Sequence, residues 1–167
     1  MMNQLAHNLR EAGLTLAYHS LVFTREGLRW MTRPIGFGVR ALVRHEERIL
    51  LVRHRSGATP WSLPGGAVGH AEDLATAALR EVREEGGCVA QVDHLLGLYF
   101  AYYHHFSNHI AVFVCTAQTA AHPPVGDLEI VDARFFLPQD IPATTDPGSQ
   151  RRIAEFHQGL AGLARPW

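Results

Sequence analysis

A chain of 167 residues, 47% hydrophobic and 19% charged, is the size of one domain and long enough to bury a core. Its formal net charge of −1 argues against a general nucleic-acid or membrane-surface binder, which needs a basic excess. Every basic residue other than histidine is arginine, a usage that a GC-rich genome would produce and that assigns no site.

Cys88 and Cys115 lie in apolar contexts without CxxC spacing, so neither a disulfide framework nor a zinc cluster is expected. No run approaches the roughly 18 apolar residues of a membrane span, and the expected location is the reducing cytoplasm.

Along the chain, Leu5, Leu9, Ala12, Leu16 and Ala17 recur at helical spacing over residues 3 to 23, interrupted by Gly13. Residues 1–33 therefore read as an N-terminal helical extension whose apolar side covers the domain or a partner in a homodimer. The main domain is expected over 34–167. Its first strand is Ile35 to Arg44, with Ile35, Phe37, Val39, Ala41 and Val43 on one face and Gly36, Gly38 and Arg40 on the other. A turn at His45-Glu46-Glu47 leads into a second strand, Arg48 to His54, whose Ile49-Leu50-Leu51-Val52 run predicts burial on both faces.

The stretch Trp61 to Cys88, WSLPGGAVGHAEDLATAALREVREEGGC, carries the chemistry. Read as a helix from Asp73 to Gly86, it places Ala75, Ala78, Leu79 and Val82 on a core-facing stripe. Glu81, Glu84 and Glu85 share a separate arc of about 100°. Three carboxylates at these spacings repel one another, by a few tenths of a kcal/mol per pair, and their grouping makes sense around a cation. Hard oxygen donors suit Mg²⁺ or Mn²⁺. The turn Pro64-Gly65-Gly66 lets backbone approach a metal or a phosphate closely.

Two further strands follow, Leu95 to Tyr103 and His109 to Ala117, then a loop over 120–127 and a short strand from Ile130 to Phe136. Asp146-Pro147 starts a C-terminal helix through Ile153, Phe156 and Leu160. The order predicts an α/β protein with a mixed sheet flanked by helices.

The pattern Gly66, Glu72, Arg80, Glu81, Val82, Glu84, Glu85, Gly87 and Cys88 resembles the Nudix box, G-x5-E-x7-R-E-U-x-E-E-x-G-U with U aliphatic. Cys88 stands for the closing aliphatic residue, and Gly69 and Ala71 stand where many relatives carry Glu and Gly. The resemblance implies a Nudix-type α/β/α sandwich. It also implies hydrolysis of a pyrophosphate bond in a nucleoside diphosphate linked to X, by a metal-activated water with Mg²⁺ or Mn²⁺. On it, Glu81, Glu84, Glu85 and the Gly65 carbonyl hold the metal, Arg80 orients the glutamates, and Glu72 supports the loop. Glu84 or Glu85 serves as general base.

Outside the box, Glu129 is a candidate extra metal ligand or water-activating carboxylate, with Asp127 a weaker competitor. Arg40 and Arg53 are candidates to clamp phosphate, and Gly66 to approach the substrate. The aromatic group Tyr99, Phe100, Tyr102, Tyr103 and Phe106 fits sheet packing or a dimer interface better than base stacking. His104, His105 and His109 suggest a metal site only weakly, having no Cys or acid at ligand spacing beside them. Ser62 lacks a G-x-S-x-G context for serine hydrolysis. Two rivals remain on the same fold: a nucleotide-binding regulatory or interaction module, and an isomerase needing a catalytic cysteine, for which Cys115 is poorly suited. No feature selects the nucleoside or X.

Overall fold

A computed structural model of the chain describes residues 12–24, 35–103 and 106–167, with Tyr103 and Phe106 described by backbone alone. A first helix, α1, covers 12–24, and its Leu16, Leu21 and Phe23 are exposed. The rest of the expected N-terminal extension, and its boundary at 33, lie outside the described residues. No helix among the described residues is long and apolar enough to cross a membrane.

Seven strands make one mixed sheet: β1 (Ile35–His45), β2 (Arg48–His54), β3 (Trp61–Ser62), β4 (Ala90–Tyr103), β5 (Phe106–Ala117), β6 (Ile130–Phe136) and β7 (Leu163–Pro166). The order is β3-β2-β1-β5-β4-β7, with β6 also paired to β2. The β1–β5 and β4–β7 pairs are parallel, and the others are antiparallel.

Helix α2 (Leu74–Gly86) starts at Asp73, whose carboxylate accepts from the amides of Ala75 and Thr76, and ends at Gly87 with φ of 60°. That left-handed turn is one glycine adopts without strain. Helix α3 (Pro147–His157) starts at Asp146, which accepts from the Ser149 amide.

The sheet separates two cores. Val39, Ala41, Val43, Leu50 and Val52 pack with Ala77, Ala78 and Val82 of α2. Leu42, Ile49, Leu51 and Leu63 pack with Ile153 of α3, joined by Trp167. The double burial expected for Ile49–Val52 is what makes β2 central, each such side chain contributing about 1.5–3 kcal/mol.

Several boundaries differ from expectation. The α2 stripe is rotated: Ala77, not Ala75, is buried beside Ala78 and Val82, because Glu81 and Glu85 also turn inward. Strands β4 and β5 begin earlier than expected, at Ala90 and Phe106. Helix α3 stops at His157, so Leu160 is not helical, and β3 and β7 were not foreseen.

The chain's last strand is fastened by a charged cluster on the α3 side. Arg152, 2% exposed, donates from Nη2 to Glu155 Oε1 at 3.1 Å. Its Nε lies 2.8 Å from Oε2 but off the hydrogen-bond axis, an ion-pair contact only. The guanidinium sits over the Tyr99 ring, 3.9 Å from the centroid. The Tyr99 hydroxyl donates to Glu155 at 2.8 Å, and Arg165 of β7 reaches the same carboxylate at 3.4 Å.

Strands β1 and β2 pair at only two positions, Arg44↔Ile49 and His45↔Arg48, and then part. Trp61 and Ser62 pair with β2, while the next residues bond to β1. The Ala41 amide donates to the Pro64 carbonyl and the Val39 amide to the Gly66 carbonyl, both at 2.9 Å, and the Val68 amide donates to the Phe37 carbonyl at 3.1 Å. The glycine turn is therefore wedged between two strands, with the Gly65 carbonyl directed away from β1's backbone.

Candidate active site

Arg80 organises the cluster on α2. Its Nε and Nη2 grip the two oxygens of Glu72 at 2.9 and 3.0 Å. Its Nη1 donates to Glu81 at 2.7 Å and Glu84 at 3.0 Å, and Nη2 also donates to the Ala67 carbonyl at 3.0 Å. One guanidinium thus ties the loop to two glutamates. Glu72 also accepts from the Gly69 amide at 2.8 Å. These bonds, Arg80 foremost, hold its carboxyl below the ordinary carboxylate value. Ala71, within this loop, has φ of 56°, a conformation glycine takes at no cost.

The three helical glutamates are not equivalent. The Glu84 side chain is 59% exposed, whereas Glu81 and Glu85 are buried. Burial pushes the Glu81 carboxyl up against the pull of Arg80. Glu85 is pushed up to about 7, first by burial, opposed by the charge of Arg40 and by its bond from the Gly65 amide. That bond is 2.8 Å long. A side chain at Gly65, whose φ is 152°, would strike the Val39 carbonyl, and one at Gly66 would come within 2.6 Å of Glu81 Oε1. The sequence needs both glycines to bring backbone against these carboxylates.

Arg40 closes the other side. Its Nη1 donates to the carbonyls of Leu63 at 2.8 Å and Gly65 at 3.1 Å, and lies 3.5 Å from Ser62 Oγ. Ser62 in turn shares a 3.0 Å hydrogen bond with His54 Nε2, and His54 Nδ1 lies 3.5 Å from Glu129 Oε1. His54 is the residue sequence reasoning passed over. It shares strand parity with Leu50 and Val52, which face α2, and that signal was available once the helix side of β2 was known.

Other candidates fall elsewhere. Arg53 has the parity of Leu51, on the α3 side, and its guanidinium is 6.0 Å from the Trp61 ring centroid; the structure does not bring it to the glutamates. Asp127 accepts from the amides of Glu129 and Ile130, which makes it a turn former. Tyr99 is buried against Glu155, while Phe100 and Tyr102 are exposed; Tyr103 and Phe106 have no described side chains. His109 stacks on Phe37 and meets Phe100 at a tilt, 5.6 Å from each, and His104 and His105 lie outside the described residues. Cys88 and Cys115 are free and buried, their thiols pushed by burial to about 11 and about 12. Such thiols are poor nucleophiles.

Among the described residues no three His, Cys, Asp or Glu side chains converge at metal-ligand spacing, since Arg80 holds Glu81 and Glu84 and the Gly65 amide holds Glu85. The donor set nonetheless fits a hard divalent cation. It offers carboxylates, two of them on buried residues, beside a glycine turn that a Cβ would fill.

A family model described as the NUDIX domain matches residues 32–156. A protein of Bacillus subtilis (strain 168), provisionally named 8-oxo-dGTP diphosphatase, is 27% identical over 122 residues, covering 73% of this chain and 80% of its own length. Among solved structures, a NUDIX hydrolase from Nitrosomonas europaea superposes with a TM-score of 0.68 at 24% identity, over 77% of this chain and 93% of that one. A UDP-X diphosphatase superposes with a TM-score of 0.65 at 24% identity, over 79% and 67%. At these identities the two structures speak to the fold, an α/β/α sandwich.

Proposed function

The chain belongs to the Nudix hydrolase family, and from that premise we propose that it hydrolyses a pyrophosphate bond in a nucleoside diphosphate linked to X, with Mg²⁺ or Mn²⁺. The carrying observation is a charge excess: among the described residues, the guanidiniums that Glu72, Glu81, Glu84 and Glu85 meet are those of Arg80 and Arg40, with His54 a further neighbour of Glu85, and two of these carboxylates belong to buried residues. A cluster with more carboxylates than guanidiniums is built to receive a cation. A divalent ion, when bound, supplies neutralisation of phosphate oxygens and a more acidic water.

Glu81, Glu84, Glu85 and the Gly65 carbonyl are the donors for it. Arg80 sets the spacing of Glu81 and Glu84, and Glu72 fixes Arg80 from the loop. Glu84 and Glu85 are the candidates to take the proton of the attacking water. Gly66 leaves room for a phosphate beside Glu81. Glu129 acts through His54 at the margin. The relatives' names, an 8-oxo-dGTP diphosphatase and a UDP-X diphosphatase, share a nucleotide pyrophosphate and differ in base and in X, so the class stops at nucleotide derivatives. A purely binding module has no need of every box glutamate, and all are kept here.

A hydrolysis screen of nucleoside triphosphates, ADP-ribose, nucleoside diphosphate sugars and dinucleoside polyphosphates with Mg²⁺ or Mn²⁺ tests the reading. Release of a nucleoside monophosphate, or of pyrophosphate from a triphosphate, is expected, at least about a hundredfold slower in Glu85→Gln. Tight nucleotide binding with no cleavage would return the binding-module reading. Equal rates in the two proteins would remove Glu85 from the mechanism.

A further inference from the structure

Arg40 is the one strand residue of β1 whose charge enters the box cluster. It has no carboxylate partner at ion-pair distance among the described contacts; its Nη1 instead spans the Leu63 and Gly65 carbonyls and approaches Ser62 Oγ. Its field reaches two box glutamates, favouring the charged forms of both Glu81 and Glu85. The Gly65 carbonyl that accepts from Arg40 is also the backbone donor on offer to a divalent ion. A guanidinium and a divalent cation at one carbonyl oxygen repel each other strongly in a partly buried site.

We infer that Arg40 is a tethered counter-cation of the glutamate cluster: it competes with the divalent ion for the Gly65 carbonyl and, when displaced, turns its guanidinium to the substrate's phosphate. The Arg40 nitrogen on that carbonyl, Nη1, also lies 3.5 Å from Ser62 Oγ, which is held by His54. Arg40 is thereby a positioning residue before the ion binds and an anion contact afterwards. Each arrival prepares the next: the ion frees the guanidinium, and the guanidinium draws the phosphate. A strut whose task was only to brace the glycine turn would aid ion binding, whereas a competitor opposes it.

This rests on the metal-dependent reading above, and the test separates the two. Mn²⁺ binding is measured by electron paramagnetic resonance on the full chain without nucleotide. Inorganic pyrophosphate binding is then measured calorimetrically in saturating Mn²⁺. Arg40→Met should bind Mn²⁺ about tenfold more tightly and pyrophosphate about tenfold more weakly, as expected for removing one nearby positive charge. Arg40→Gln keeps amide donors for the two carbonyls without the charge, and should also tighten Mn²⁺ binding, which covers the case in which the Met variant does not fold. Unchanged or weaker Mn²⁺ binding in a folded variant overturns the inference and makes Arg40 a strut. Absence of Mn²⁺ binding by the wild type overturns the metal reading itself.

Discussion

Two arginine–glutamate clusters sit on opposite faces of the same sheet, and they are assembled by opposite rules. On the α3 side a single carboxylate, Glu155, is shared by Arg152, Arg165 and the Tyr99 hydroxyl, with an aromatic ring beneath the buried guanidinium. On the α2 side four glutamates share two arginines, and the two buried glutamates have raised carboxyl values. In the first cluster the buried charges balance, Arg152 against Glu155, although Arg152 Nε finds no hydrogen-bond acceptor. This cluster can hold β7 in place but gains little from a further ion. The second is under tension from its own charge. Counting buried charges against their partners thus separates a fastener from a receptor more cleanly than counting salt bridges does.

The largest test of that contrast is on the fastener. Arg152→Ala leaves Glu155 buried without its main partner, and should cost about 3–5 kcal/mol in urea unfolding. The activity per folded molecule should stay at the wild-type level. A loss of activity exceeding the loss of folded protein would break the comparison, because it would couple the α3 cluster to the chemistry.

The next test concerns the receptor without a divalent ion. The Glu85 carboxyl is raised from 4.5 to about 7 in the fold, so the folded state binds its proton more tightly than the unfolded chain. Its contribution to stability is therefore most favourable below pH 4.5, is lost progressively as pH rises from there to about 7, and stays lost above. The span is roughly 3 kcal/mol. In chelator-treated samples, Glu85→Gln should be more stable than wild type at pH 8 and should lack that part of the pH dependence. A parallel pH profile for the two proteins would show that Glu85 carries no such penalty.

The smallest effect lies in the loop leading to α2. Ala71 sits in the left-handed region, which costs a residue with a Cβ roughly 1–2 kcal/mol. Ala71→Gly should recover about 1 kcal/mol, less the entropy that glycine adds to the unfolded chain. No gain in the melting midpoint would mean that the loop relaxes elsewhere.

Much of the receptor was legible in the sequence because its parts are local. Asp73, Arg80, the glutamates and Gly87 lie on one helix and its caps, where spacing fixes neighbourhood. The same reasoning misjudged the inward face of that helix, choosing Ala75 over Ala77, because two buried glutamates occupy positions that hydrophobic periodicity assigns to the outside. The sequence points to Arg53 and leaves His54 unmarked for a related reason: a strand buried on both sides has no polar face to show which side meets α2. Strand β7, LARP, is too short to display a period, and its pairing with Gly97 to Phe100 is a long-range fact. The role of Arg40 on the Gly65 carbonyl depends on the parting of β1 from β2, which no local pattern encodes.

That parting has a consequence for how the loop can vary. Because the turn is bonded to β1 as a strand would be, alternate carbonyls point in alternate directions, and Gly65 offers its oxygen outward only while Pro64 and Gly66 spend theirs on β1. One residue inserted or deleted between Ser62 and Val68 would invert that parity and present the wrong carbonyl. The length of this segment is thus under a stricter rule than its composition, and an odd change in length is the alteration that the neighbouring chemistry could least absorb.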